Sequence, residues 1–128
     1  MNALLGEICG FDETDELSLV SVKTAVGDFS VLMLNFSHAL NAHKGSKVEL
    51  LFKENELSLA QKGIKTSVEN VFESKITHIE KGKMLWQVFL QHKLSAIITA
   101  KAAQALNLSA NDEVACFVKA DDIIIKVL

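Results

Sequence analysis

The chain has 128 residues and a formal net charge of -3, and 49% of its residues are hydrophobic, as in a globular protein and unlike a disordered chain. The acidic balance and the 6% aromatic content argue against general nucleic-acid binding, which needs a cationic surface and stacking side chains. Residues 1–10 are unlike a secretory leader, and no apolar run reaches the roughly 18 residues of a membrane span. We therefore expect a cytoplasmic protein without a membrane partner.

Short strands are predicted through the first half of the chain. Residues 17–22 alternate between apolar and polar side chains, which is the pattern of a half-buried strand, and 28–34 is an apolar run of strand length. A single helical turn is expected at 37–40. A dense apolar strand at 48–52 and a last strand at 56–60 complete this half.

The second half shows the same order of elements. Strands are predicted at 85–90 and 94–99, followed by a short helix at 99–106 that begins at Thr99 as a plausible N-cap. A dense apolar strand at 114–118 and a last strand at 123–128 follow.

This order reflects an internal repeat, in which apolar positions and lysines recur although identity is low. At an offset of 66, Lys53 is equivalent to Lys119, Val48 to Val114, and 31–32 to 97–98. At an offset of 68, Asn2 is equivalent to Asn70 and Ile8 to Ile76. A two-residue difference in one hairpin would explain the change of offset. We predict two domains, 1–60 and 66–128, joined by the polar segment 61–65.

About five short strands and one helical turn in 60 residues are typical of a small OB-type barrel. We therefore predict an all-β protein of two tandem OB-like five-stranded barrels, each with one short helix. Barrels this small are marginal alone, so pairing of the halves is expected. Cys9 and Cys116 are expected to be small core residues rather than a disulfide pair.

Several segments of the second half resemble the Mop/TOBE family of molybdate-binding domains. They are 94–99 (LSAIIT), 107–114 (NLSANDEV) and 117–124 (FVKADDII), preceded by 66–70 (TSVEN), which is similar to the family's TSARN box. The resemblance covers 66–127 and extends more weakly to 2–10 and 45–59. Two copies in one short chain are similar to the family's tandem, or di-Mop, arrangement.

The resemblance implies a non-enzymatic cytoplasmic protein that binds molybdate or tungstate at domain or subunit interfaces, for storage, buffering or delivery. It also implies a homo-oligomer, a trimer or dimer. A buried tetrahedral dianion needs hydrogen-bond donors and a cation in place of its water. The positions that match the family's binding residues are Lys119, Lys53 and Ser67, with Thr66 and Ser95 as weaker candidates.

One position departs from the family pattern, because Glu69 stands where the box has arginine. A carboxylate beside a bound dianion repels it, so this class of site is weakened unless Glu69 points away. The alternative function is a regulatory or protein-interaction module, related to the effector half of molybdate-responsive transcription regulators, with weak or lost anion binding. A second alternative, an OB-type nucleic-acid binder, is disfavoured by the net charge.

The sequence contains no motif that points to catalysis or to a resident metal cation. No phosphate-binding glycine loop, nucleophile elbow or paired cysteine and histidine ligands are present. We therefore expect no enzyme activity and no free-cation site.

Overall fold

The computed structural model describes residues 1–39 and 41–128, so Leu40, the last residue of the helical turn expected at 37–40, lies outside the described residues. The strands are β1 (Asn2–Thr14), β2 (Leu17–Thr24), β3 (Gly27–Leu34), β4 (Lys47–Phe52), β5 (Ser58–Ala60), β6 (Asn70–Lys81), β7 (Leu85–Leu90), β8 (Ser95–Thr99), β9 (Glu113–Val118) and β10 (Ile124–Val127). The helices are α1 (Phe36–Ala39) and α2 (Ala100–Ala105), and 3₁₀ turns lie at Glu54–Glu56, Gln91–Lys93 and Ala120–Asp122. The predicted all-β class is confirmed.

The strands form two antiparallel five-stranded sheets, and each sheet contains one strand from the other half of the chain. The first sheet has the order β10-β4-β1-β2-β3 and the second the order β5-β9-β6-β7-β8. The predicted domains 1–60 and 66–128 describe the sequence repeat. In space, β5 and β10 are exchanged across that division, so each half completes the other half's sheet.

The register of the ladders supports the repeat and corrects one of its pairings. Both long hairpins carry a bulge at the same place, after Ile8 in β1 and after Ile76 in β6. Val20 pairs with Val31, whereas its equivalent Val88 pairs with Ala96, so β3 and β8 are related by an offset of 65. The predicted pairing of 31–32 with 97–98 is therefore wrong by one residue, because the β7–β8 hairpin is three residues shorter rather than two.

A single hydrophobic core receives side chains from both sheets. It includes Val20 and Leu50 from the first half and Ile76 and Val88 from the second, all of which are fully buried. The alternation of buried and exposed residues along each strand turns one face of each sheet toward this core. The two halves therefore share one interior.

Gly6 lies where β1 passes close to β2. A Cβ atom at this position would lie 2.6 Å from Val22 Cγ1 and 2.9 Å from the Lys23 carbonyl oxygen. Gly10, four residues further along the same strand, has open space where its Cβ would be. The close approach at Gly6 therefore has room for a hydrogen atom only.

The structure tests three further expectations from the sequence. Thr99 is the N-cap of α2, since its Oγ1 accepts a hydrogen bond from the Ala102 N–H at 3.1 Å. Cys116 is buried as expected, but Cys9 is exposed, so the expectation of a core position is wrong for Cys9; both thiols are free. Among the described residues, the helices are too short to cross a bilayer.

Candidate functional site

The two candidate lysines occupy equivalent places in the repeat. Lys53 follows β4 and Lys119 follows β9, each in an extended conformation immediately before a 3₁₀ turn. Both side chains are exposed. The turn after Lys53 packs against β8, and the turn after Lys119 packs against β3. Each lysine therefore stands beside a strand of the other half.

Lys119 and Ser67 line the same cavity, which has a volume of about 210 Å³. Its other lining residues are Val68, Glu69, Ala120 and Asp121. The structure thus brings together two of the five predicted site residues, one cation and one hydroxyl. The same walls carry two carboxylates, of which Glu69 is the one that departs from the family pattern.

Lys119 also lines a second cavity of about 270 Å³, where the two halves of the chain meet. Asn55, Glu56 and Ser58 contribute from the first half, and Asp122 contributes from the second half. Partial burial, followed by repulsion from Glu56 and Asp121, raises the pKa of the Asp122 carboxyl, and the Lys119 ammonium partly offsets this. Lys119 therefore lies among acidic side chains, which partly neutralise its positive charge.

Thr66 and Lys53 have mainly local hydrogen bonds. Thr66 Oγ1 accepts from the Val68 N–H at 3.1 Å and so shapes the approach to β6. The Lys53 N–H donates to Glu56 Oε1 at 2.7 Å, which closes the first 3₁₀ turn. Neither residue lines the cavity that Ser67 and Lys119 share.

Ser95 is buried, and its backbone N–H and carbonyl bind the other half of the chain. Its N–H donates to Asn2 Oδ1 at 2.8 Å, and Asn2 Nδ2 donates back to its carbonyl at 2.9 Å. The Ser95 hydroxyl accepts from Gln87 Nε2 at 3.2 Å. Ser95 is thus separate from the Lys119 cavity and joins the halves.

The repeat produces the same junction a second time. The Ser30 N–H donates to Asn70 Oδ1 at 2.7 Å, and Asn70 Nδ2 donates to the Ser30 carbonyl at 2.9 Å. Both asparagines are 2% exposed, so these amides are desolvated and satisfied. The repeat pairs Asn2 with Asn70, but neither was predicted to have a role; an asparagine at the same place in both copies was the available signal.

In the part of the chain that the structure describes, no three histidine, cysteine, aspartate or glutamate side chains cluster as metal ligands would. The groups around Lys119 are therefore a mixed set of one ammonium, hydroxyls, backbone amides and carboxylates. Such a set binds an anion well only where further hydrogen-bond donors or cations reach the cavity and outweigh its carboxylates.

The chain is similar to a known domain family and to a solved structure. Residues 66–125 match the family model of the TOBE domain, which is a binding domain and not a catalytic one, in agreement with the predicted absence of enzyme activity. No curated protein sequence matches the chain. The crystal structure of the cytoplasmic molybdate-binding protein ModG with molybdate bound is similar at a TM-score of 0.90, over 99% of this chain and 96% of that one, with 21% identity. This likeness shows the shared fold and confirms the tandem OB-like architecture.

Proposed function

We propose that the chain binds molybdate or tungstate without chemical change, because residues 66–125 match the family model of the TOBE domain. The observation that carries this proposal is the convergence of Ser67 and Lys119 on one cavity within that domain. The likeness of the whole chain to a structure with bound molybdate supports the same ligand class.

The proposed contacts follow from the chemistry of a tetrahedral dianion. The Lys119 ammonium supplies charge, while the Ser67 hydroxyl and adjacent backbone N–H groups supply hydrogen bonds. Lys53 takes the equivalent role in the first half, with Thr66 as a supporting residue of the 66–70 segment. Ser95 supports the site indirectly, by fixing β8 beside the turn after Lys53.

The carboxylates of Glu69 and Asp121 make the cavity on one chain a poor dianion site by itself. We therefore place the complete sites at interfaces, where a neighbouring copy adds donors, in a homo-oligomer such as a trimer or dimer. The role that fits is storage, buffering or delivery of the oxyanion in the cytoplasm.

Isothermal titration calorimetry with molybdate, tungstate and sulfate tests this function. We expect heat from the first two at micromolar protein, and at least about tenfold weaker binding in Lys119→Ala and Lys53→Ala, since each removes a charge partner of the anion. Lys101→Ala is the matched control, an exposed lysine on α2 away from the cavity. No heat from molybdate and tungstate with the unaltered protein would refute the proposal.

One observation favours a second candidate function, a regulatory or protein-interaction module with weak or lost anion binding. Glu69 and Asp121 flank Lys119 and reduce its attraction for a dianion. This alternative predicts no calorimetric response to either oxyanion together with a stoichiometric protein partner in a pull-down.

A further inference from the structure

Asn70 connects the segment that carries Ser67 to the first half of the chain. It is the first residue of β6 and is 2% exposed. Its Oδ1 accepts from the Ser30 N–H at 2.7 Å, and its Nδ2 donates to the Ser30 carbonyl at 2.9 Å, so both polar atoms of the amide bind one residue of β3. A buried amide with both groups satisfied is held in one orientation. The start of β6 is therefore fixed against β3.

The turn that follows Lys119 packs on the same strand. Residues Ala120–Asp122 form this turn and contact β3. The Asp122 N–H donates to the Lys119 carbonyl at 3.0 Å, which joins the lysine to the turn. Asn70 is also the ladder partner of Val118, the residue before Lys119. Strand β3 of the first half is therefore a common support for Lys119 and for the segment that leads into β6.

The segment around Ser67 has few contacts of its own. The backbone at 66–69 lies outside the strands, and Ser67 is exposed. Among the described residues, the side chains of this segment make one hydrogen bond, in which Thr66 Oγ1 accepts from the Val68 N–H. Ser67 lies three residues before Asn70, and three residues span at most about 10 Å. The anchored start of β6 therefore determines where the Ser67 hydroxyl lies in the cavity.

We propose that Asn70 is a positioning residue of the oxyanion site, which holds the Ser67 hydroxyl beside Lys119 by bonding the start of β6 to β3. Asn70 does not line the cavity, and both polar atoms of its amide bind Ser30, so it acts through Ser67 and not on the ligand. The cavity of the second half is thus assembled on a strand of the first half. This inference rests on the proposed function for its ligand, whereas the contacts that carry it need no ligand.

The repeat supplies a matched control. Asn2 makes the equivalent pair of hydrogen bonds, at 2.8 and 2.9 Å, to Ser95 on β8, and it is equally buried. Asn2→Ala therefore removes the same bonds as Asn70→Ala but leaves the segment 66–69 anchored. A loss of affinity through weaker docking of the halves is common to both variants. A loss of Ser67 positioning is specific to Asn70→Ala.

A double-mutant cycle in calorimetry with molybdate tests the positioning. Ser67→Ala in the otherwise unaltered chain should weaken binding about tenfold, because a hydrogen bond to a charged ligand is lost. In the Asn70→Ala background it should weaken binding less than about twofold, since a hydroxyl misplaced by about 1 Å already contributes little. In the Asn2→Ala background the tenfold effect should persist. An equal effect of Ser67→Ala in all three backgrounds, including no effect at all, would overturn the proposal.

NMR relaxation of the ligand-free protein gives a second readout, which does not depend on the proposed function. Backbone order parameters of residues 66–69 should fall below about 0.6 in Asn70→Ala and stay at the values of the unaltered protein in Asn2→Ala. Asn70→Thr, which suits a strand but lacks the amide, replaces the alanine variant where circular dichroism shows the latter unfolded. No heat from molybdate or tungstate refutes the proposed function alone. Order parameters that are unchanged in Asn70→Ala, or that fall equally in Asn2→Ala, overturn the positioning role.

Discussion

Replacing Asn70 by alanine removes the two hydrogen bonds that tie the start of β6 to the Ser30 backbone on β3. Each bond contributes about 1 kcal/mol net, and the Ser30 N–H that loses its acceptor in a partly buried site adds a further cost of about 1 kcal/mol. We therefore expect the free energy of unfolding to fall by about 2 to 3 kcal/mol. For a domain of this size the corresponding fall in melting temperature is roughly 8 to 12 °C.

Urea denaturation followed by fluorescence measures this loss conveniently, because Trp86 is the only tryptophan and is 7% exposed. Asn2→Ala removes the equivalent junction and should cost a similar amount. Asn55→Ala, at an exposed asparagine in a 3₁₀ turn, is the control and should change stability by less than about 0.5 kcal/mol. A loss below about 0.5 kcal/mol for both junction variants would show that the halves are not held by these amides.

Three further predictions concern the site, the backbone and the thiols. At a separation of about 6 Å and the dielectric constant of water, one exposed carboxylate weakens the binding free energy of a dianion by about 1.4 kcal/mol. Glu69→Gln should therefore tighten molybdate binding roughly tenfold in calorimetry. An unchanged affinity would mean that Glu69 does not face the ligand. Gly6→Ala should lower the free energy of unfolding, measured by urea denaturation, by about 2 kcal/mol, because the added Cβ clashes with β2. Gly10→Ala should have little effect, and equal losses for the two variants would contradict the close approach. Burial raises the pKa of the Cys116 thiol to about 12, so a thiol reagent at pH 8 should label only Cys9 in the folded protein and both cysteines in urea; rapid labelling of two thiols without urea would refute the burial.

The repeat was readable from the sequence because equivalent strands carry the same alternation of apolar and polar residues. This alternation, together with the matched Lys53 and Lys119, predicted two barrels with the lysines at equivalent positions. In the structure each lysine lies immediately before a 3₁₀ turn. Ser67 was named as a candidate binding residue through the family resemblance alone, and the structure brings it to one cavity with Lys119.

The strand exchange could not be predicted from the same pattern. β5 and β10 are equivalent short strands, and a strand that fits one sheet fits the other, so local patterning is identical whether or not they are exchanged. The one-residue error between β3 and β8 has a similar origin, because Ala96 and Ile97 are both apolar and either can be aligned with Val31. Which of the two faces the core depends on the length of the hairpin, which is a tertiary property.

The long-range pairing of Ser95 could not be predicted for a related reason. The Ser95 hydroxyl accepts a hydrogen bond from Gln87 on the neighbouring strand, whereas the Ser95 backbone N–H donates to a residue 93 positions away. The partner, Asn2, belongs to the opposite half. Long-range pairing of this kind has no local signature, except that buried asparagines at equivalent places invite a search for partners.

The exchanged strands also constrain how the protein is made. The first sheet, which holds β1 at its centre, acquires its edge strand β10 only from Ile124–Val127. When residues 1–60 have emerged from the ribosome, the whole first repeat is available for folding, yet its sheet still has an open edge along β4. The sheet is completed only when residues 124–127 have emerged, so until then the first repeat has an unpaired strand edge that other chains could pair with.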